Sequence, residues 1–129
     1  MFQCCITEEN GEKVIRLDRG MNGYLIGTLE PTLEQLKEHS QLYHVTENTP
    51  PAYLWTTWND EMVPPENSLL YAPALIAKGV KAEVHMFVNG PHGLSLADHT
   101  CSVGEGYVNE AVQQWVPMVM TCLDLIWGA

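Results

Sequence analysis

Three short apolar runs, each bounded by turn formers, frame this chain: "FQCCIT" (2–7), "AYLWTT" (52–57) and "KAEVHMFV" (81–88). Runs of this length suit strands, the first two of them covered on both faces. Between the second and third lies "PPENSLLYAPALIAKG" (64–79), which predicts a helix. Prolines 64 and 65 open it and Gly79 closes it, while Leu69, Leu70, Ala74, Leu75 and Ala77 give it an apolar face. Pro73 is expected to bend it. "EPTLEQLKEHS" (30–40) predicts a shorter helix, with Pro31 in its first turn and Leu33 and Leu36 on one face. A long terminal helix is predicted over roughly 107–127, carrying Trp115, Val119, Leu123 and Ile126, with Pro117 kinking or splitting its start. "EENGEK" reads as a turn and "VTENTPPA" as a loop, while 13–30 shows no periodicity that assigns an element.

The order β, irregular, α, β, α, β, α places the chain in the α/β class as a single domain, 1–129. Strands separated by helices need crossovers, so a short parallel sheet of about three strands is expected, with right-handed connections. Reactive groups in such sheets collect just past the carboxyl ends of the strands. Two of those ends carry chemistry. Asp60 follows strand 52–57, and His92 sits in "NGPHG" after strand 81–88. On adjacent parallel strands the two emerge at one edge, where a carboxylate fixes the imidazole tautomer and stabilises the imidazolium. That is an acid–base pair that still needs a nucleophile.

Composition narrows the partners. Sixteen acidic against six basic residues give a net charge of −10, which repels phosphate backbones and anionic bilayers, so nucleic acid and membrane are not expected as partners. The first twenty residues lack the basic start and long apolar run of a signal peptide, and "WVPMVMTCLDLIWGA" is too short to span a bilayer. A cytoplasmic protein is the expectation. Cys4, Cys5, Cys101 and Cys122 show no CxxC spacing and read as free buried thiols. Cys101 lies near His92 in sequence, but without an elbow or oxyanion site it reads as a structural thiol rather than a nucleophile. His85, His92 and His99 recur every seven residues, a spacing that shares no face on a strand and a loop, so no metal and no cofactor are expected. The four tryptophans read as core and interface bulk.

The stretch "TPPAYLWTTWNDEMVPPENSLLYAPALIAKGVKAEVHMFVNGPHGLSLAD" resembles the carboxyl-terminal portion of α/β-hydrolase esterases, in the acetyl-esterase and acetylxylan-esterase-like branch. That pattern has an Asp three residues before Val-Pro, then a helix, a strand and a Gly-x-His-Gly turn. Asp60 with Val63–Pro64 matches the first part and His92 in "GPHG" the last. The match is good over 49–98 and weaker over "FQCCIT" and 19–40. The resemblance implies a partial α/β-hydrolase fold, Asp60 and His92 as catalytic acid and histidine, and a small-molecule or carbohydrate ester as substrate.

Three positions depart from the pattern: Thr56 stands for the usual His, Trp58 for a small residue and Asn59 for an acid. The nucleophile motif, Gly-x-Ser-x-Gly, is absent. Ser40, Ser68, Ser95 and Ser102 lack flanking glycines at the required offsets, and there is no His-Gly-Gly oxyanion loop. The expectation is therefore the carboxyl-terminal half of a serine esterase, retaining two triad positions and inactive as an isolated chain. The alternative is a non-catalytic remnant or assembly subunit. Strand 2–7, left with a bare edge by a missing amino-terminal half, favours a homo-oligomer.

Overall fold

In the computed structural model the described residues are 4–9, 12–17 and 24–128, the first two segments by their backbone alone. Strand β1 (Cys4–Glu9) pairs antiparallel with β2 (Glu12–Leu17), in a register running from Cys4 opposite Leu17 to Glu9 opposite Glu12. The expected strand 2–7 is therefore shifted by two residues. Its hydrogen-bonding partner comes from the segment that shows no periodicity, not from the parallel sheet. Asn10–Gly11 between two six-residue strands is the strongest short-range hairpin signal, which explains the pairing.

The parallel sheet has two strands among the described residues rather than three. Strands β3 (Ala52–Thr57) and β4 (Ala82–Phe87) pair in register from Ala52 opposite Ala82 to Thr57 opposite Phe87. Between them runs helix α2 (Glu66–Ala77), unbroken through Pro73. Alternate strand residues point to opposite faces. Leu54 accordingly packs with Leu75, Val80 and Val45 under α2, while Trp55 and Phe87 pack with Leu94, Ala97 and Val112 on the other side. The Trp55 ring stacks on Trp115 of the terminal helix, centroid to centroid 5.7 Å. The result is a helix–sheet–helix sandwich with Leu75, Leu94 and Val112 fully buried.

Two helix starts correct the expectations, and the split expected in the terminal helix is present. Helix α1 (Leu33–His39) begins after Thr32, not at Pro31. Thr32 Oγ1 accepts from the Gln35 amide at 3.2 Å and Gln35 Oε1 accepts from the Thr32 amide at 2.9 Å, a capping box. The terminal helix is two pieces, α3 (Glu110–Gln113) and α4 (Trp115–Trp127), with residues 107–109 outside both. Asn109 caps α3, and Pro117 falls in the first turn of α4, where its missing N–H leaves the Gln113 carbonyl without its helical donor. Of the apolar face expected on α2, Leu75 is buried and Ala74 packs beside it, whereas Leu69 and Leu70 are exposed.

Candidate active site

The two loops that leave the carboxyl edge of the sheet meet. The ladder continues one step past the strands, the Trp58 amide donating to the Phe87 carbonyl at 2.8 Å. The β3 loop then turns at Asp60. One carboxylate oxygen, Oδ1, accepts from the backbone amides of Met62 (3.0 Å) and Val63 (2.8 Å), which fixes the side chain. The other, Oδ2, lies 2.9 Å from Nδ1 of His92, thirty-two residues away in sequence. The carboxylate can only accept, so Nδ1 carries the proton and Nε2 of the neutral ring presents a lone pair. The His92 side chain is 41% exposed and Asp60 only 13%, so the histidine faces the cleft and the acid lies behind it.

The loop bearing His92 is held rigidly. Gly90 precedes it at φ +156°, where a Cβ would lie 2.5 Å from Leu94 Cδ1 and 3.0 Å from Thr57 Cγ2, so only glycine fits. Beyond it, Ser95 (φ 51°) and Ala97 (φ 56°) occupy the left-handed region, at a cost of about 1–2 kcal/mol each. Hydrogen bonds hold both. The Trp115 indole donates to the Ser95 carbonyl at 2.9 Å, and the Ala97 carbonyl accepts from the Asn109 amide and from Gln113 Nε2. A cavity of about 250 Å³ opens in front of the pair, lined by Trp55, Thr57, Val63, Ser68, Leu94 and Ser95 as well as Asp60 and His92. Sequence reasoning did not single out Asn59, Asn89 and Asn109, which tie these loops together. Asn59 registered there only as a departure from the esterase pattern.

The remaining candidates lie elsewhere or in other roles. His85 binds Glu83 Oε1 at 2.6 Å within β4, so it and His92 serve different partners. The His85 hydrogen bond is the main cause holding the Glu83 carboxyl below its usual range. Among the described residues no group of three or more His, Cys, Asp or Glu could hold a metal ion. Cys101 and Cys122 are both free, but only Cys122 is buried; Cys101 is half-buried, contrary to expectation, and Cys4 and Cys5 lie outside the described side chains. Hydrogen bonds from the hydroxyls of Ser95 and then Thr100 push the Cys101 thiol down, while burial pushes Cys122 up. Trp55 and Trp115 are core, as expected, whereas Trp58 and Trp127 are largely exposed.

An acid followed by a histidine on adjacent β–α loops at the carboxyl edge of a parallel sheet is the arrangement of a hydrolase. The family model for the prolyl oligopeptidase family matches residues 14–107, and the chain belongs to that family. Its fold is correspondingly part of an α/β hydrolase. It is similar to a carboxylesterase from Lactobacillus plantarum WCFS1 (35% identity, TM-score 0.62), covering 64% of this chain and 31% of that one. It is also similar to an acetyl ester-xyloside bifunctional hydrolase from Caldicellulosiruptor lactoaceticus (32% identity, TM-score 0.60), covering 88% of this chain and 47% of that one. Over 68 residues it is 43% identical to endo-1,4-beta-xylanase B of Butyrivibrio fibrisolvens, spanning 53% of this chain and 11% of that protein. The chain thus spans less than half the length of each of these relatives. No described helix is long and apolar enough to cross a membrane.

Proposed function

We propose that this chain supplies the acid and histidine of a serine-type site hydrolysing short acyl esters, acetyl groups on carbohydrate among them. The 2.9 Å contact between Asp60 Oδ2 and His92 Nδ1 carries the proposal, supported by relatives named as a carboxylesterase and an acetyl ester-xyloside hydrolase. In the reaction His92 Nε2 accepts the proton of an attacking serine hydroxyl and then returns it to the leaving alcohol, while Asp60 holds the ring and stabilises the imidazolium. The attacking serine sits in a Gly-x-Ser-x-Gly elbow that residues 1–129 do not contain. Ser68 and Ser95 line the cavity, but Ser95 sits in a turn after His92 instead of between a strand and a helix. The isolated chain therefore hydrolyses p-nitrophenyl acetate only at the rate of an accessible histidine, and a serine-directed phosphonate leaves that rate unchanged. Phosphonate-sensitive turnover that Ser95→Ala or Ser68→Ala abolishes would refute this assignment.

A second reading, an assembling subunit, is favoured by apolar surface left in water. Val88 is 85% exposed, and Met120, Leu125 and Trp127 on α4 are all more than half exposed. Surface of this kind marks an interface. Because β1 takes β2 as its partner, the case for assembly rests on α4 and not on the amino-terminal strand. Light scattering at micromolar concentration returning a clean monomer, unchanged by Leu125→Glu, would remove this reading.

A further inference from the structure

The loops that carry Asp60 and His92 are joined by a ladder of uncharged amides. Asn59 Oδ1 accepts from the Gly90 amide at 2.8 Å, and Asn59 Nδ2 donates to Asn89 Oδ1 at 2.9 Å. The Asn89 carbonyl in turn accepts from Asn109 Nδ2 at 2.8 Å, while Asn109 Oδ1 caps α3 through the amides of Ala111 and Val112. Thr57, which is buried, donates its hydroxyl to the Gly90 carbonyl at 2.7 Å. Both peptide groups of Gly90, two residues ahead of His92, are therefore held by residues of β3 and its loop.

The orientation of each amide follows from its partners. The Gly90 N–H must meet an oxygen, so Asn59 turns its NH₂ towards Asn89, and Asn89 must answer with its oxygen. The Asp60–His92 hydrogen bond cannot do this work itself, since a contact whose histidine is 41% exposed holds two loops only weakly against water.

We infer that Asn59 is the positioning residue of the site: it sets the distance between the loops so that His92 Nδ1 stays on Asp60 Oδ2. This rests on the acid–histidine assignment proposed above. Asn59 touches no reacting group; it acts through Gly90 and the backbone leading to His92.

The test is the exchange with water of the His92 Nδ1 proton, followed by NMR in the full 129-residue chain. In the wild type this proton is visible and slow. In Asn59→Ala, which removes two hydrogen bonds, its exchange accelerates by roughly tenfold or more while the amide spectrum stays dispersed. In Asn89→Ala, which leaves the Gly90 contact in place, the acceleration is smaller, roughly threefold. Exchange within roughly twofold of the wild type in Asn59→Ala would overturn the inference even if stability fell, because a merely structural residue gives that result. Should Asn59→Ala not fold, unchanged exchange in Asn89→Ala overturns it instead. A wild type with no slow Nδ1 proton defeats the acid–histidine pair itself, and the positioning role with it.

Discussion

Replacing Gly90 by alanine adds one methyl group at the most crowded point behind the candidate site. Its Cβ would sit 2.5 Å from Leu94 Cδ1, where ordinary contact begins at 3.4 Å, so something must yield by about 0.9 Å. Leu94 is 1% exposed and packed between Ala97, Val112 and the aromatic residues around Trp55, and it has no solvent to move into. Thr57 Cγ2, at 3.0 Å, belongs to a residue 2% exposed whose hydroxyl is committed to the Gly90 carbonyl. Overpacking of this kind costs about 1–3 kcal/mol, and the positive φ adds about 1 more, for a total of about 2–4 kcal/mol. Gly93 is the control. It has φ +78° and open space where a methyl would sit, so Gly93→Ala carries the conformational cost alone, about 1–2 kcal/mol. Urea unfolding of both variants measures the difference as a shift in midpoint at constant slope. Equal destabilisation by the two substitutions, or less than about 0.5 kcal/mol from Gly90→Ala, would refute the packing account.

Three further outcomes follow from other parts of the molecule. In a Cys4→Ser, Cys5→Ser background, iodoacetamide at pH 7.5 modifies Cys101 roughly tenfold or more faster than Cys122, because one thiol is half-buried and pushed down and the other is buried and pushed up. Comparable rates would contradict those environments. Glu83 is held below its ordinary range in the fold, so its pairing with His85 stabilises the protein above the usual carboxylate range and is lost as pH falls through the folded value. The gap in stability between wild type and Glu83→Gln, below about 1 kcal/mol for a pair this exposed, should therefore be widest near neutrality and close in acid as the carboxyl takes up its proton. Leu75→Ala empties a fully buried position under the sheet and should cost about 2–5 kcal/mol by the same unfolding assay; a loss under about 1 kcal/mol would mean that the α2 layer is not packed as described.

The chemistry-bearing part of the fold was legible because its signals are local. Strand β3 occupies 52–57 as its apolar run predicts, β4 falls within 81–88, and the prolines and Gly79 bracket α2. Asp60 and His92 each follow a strand closely, so adjacency of the strands was enough to bring them together. The amino-terminal strand misled because an apolar run of six says nothing about its partner; the Asn-Gly pair that specifies a hairpin follows it at 10–11. The capping role of Thr32 was hidden behind the neighbouring proline, whereas the split near the start of the terminal helix was signalled by Pro117. The asparagine ladder left no trace in the pattern at all. Asn59 bonds to residues thirty and thirty-one positions away, and a contact across loops imposes no periodicity on either.

The central claim is that His92 is held by Asp60 with its Nε2 free to take a proton. The ¹⁵N chemical shifts of the neutral His92 ring measure that directly. The predicted result is a ring protonated at Nδ1 with Nε2 bare, reverting in Asp60→Ala to the Nε2–H form that an unrestrained imidazole prefers. A wild-type ring protonated at Nε2, or a tautomer that Asp60→Ala leaves unchanged, would contradict the account.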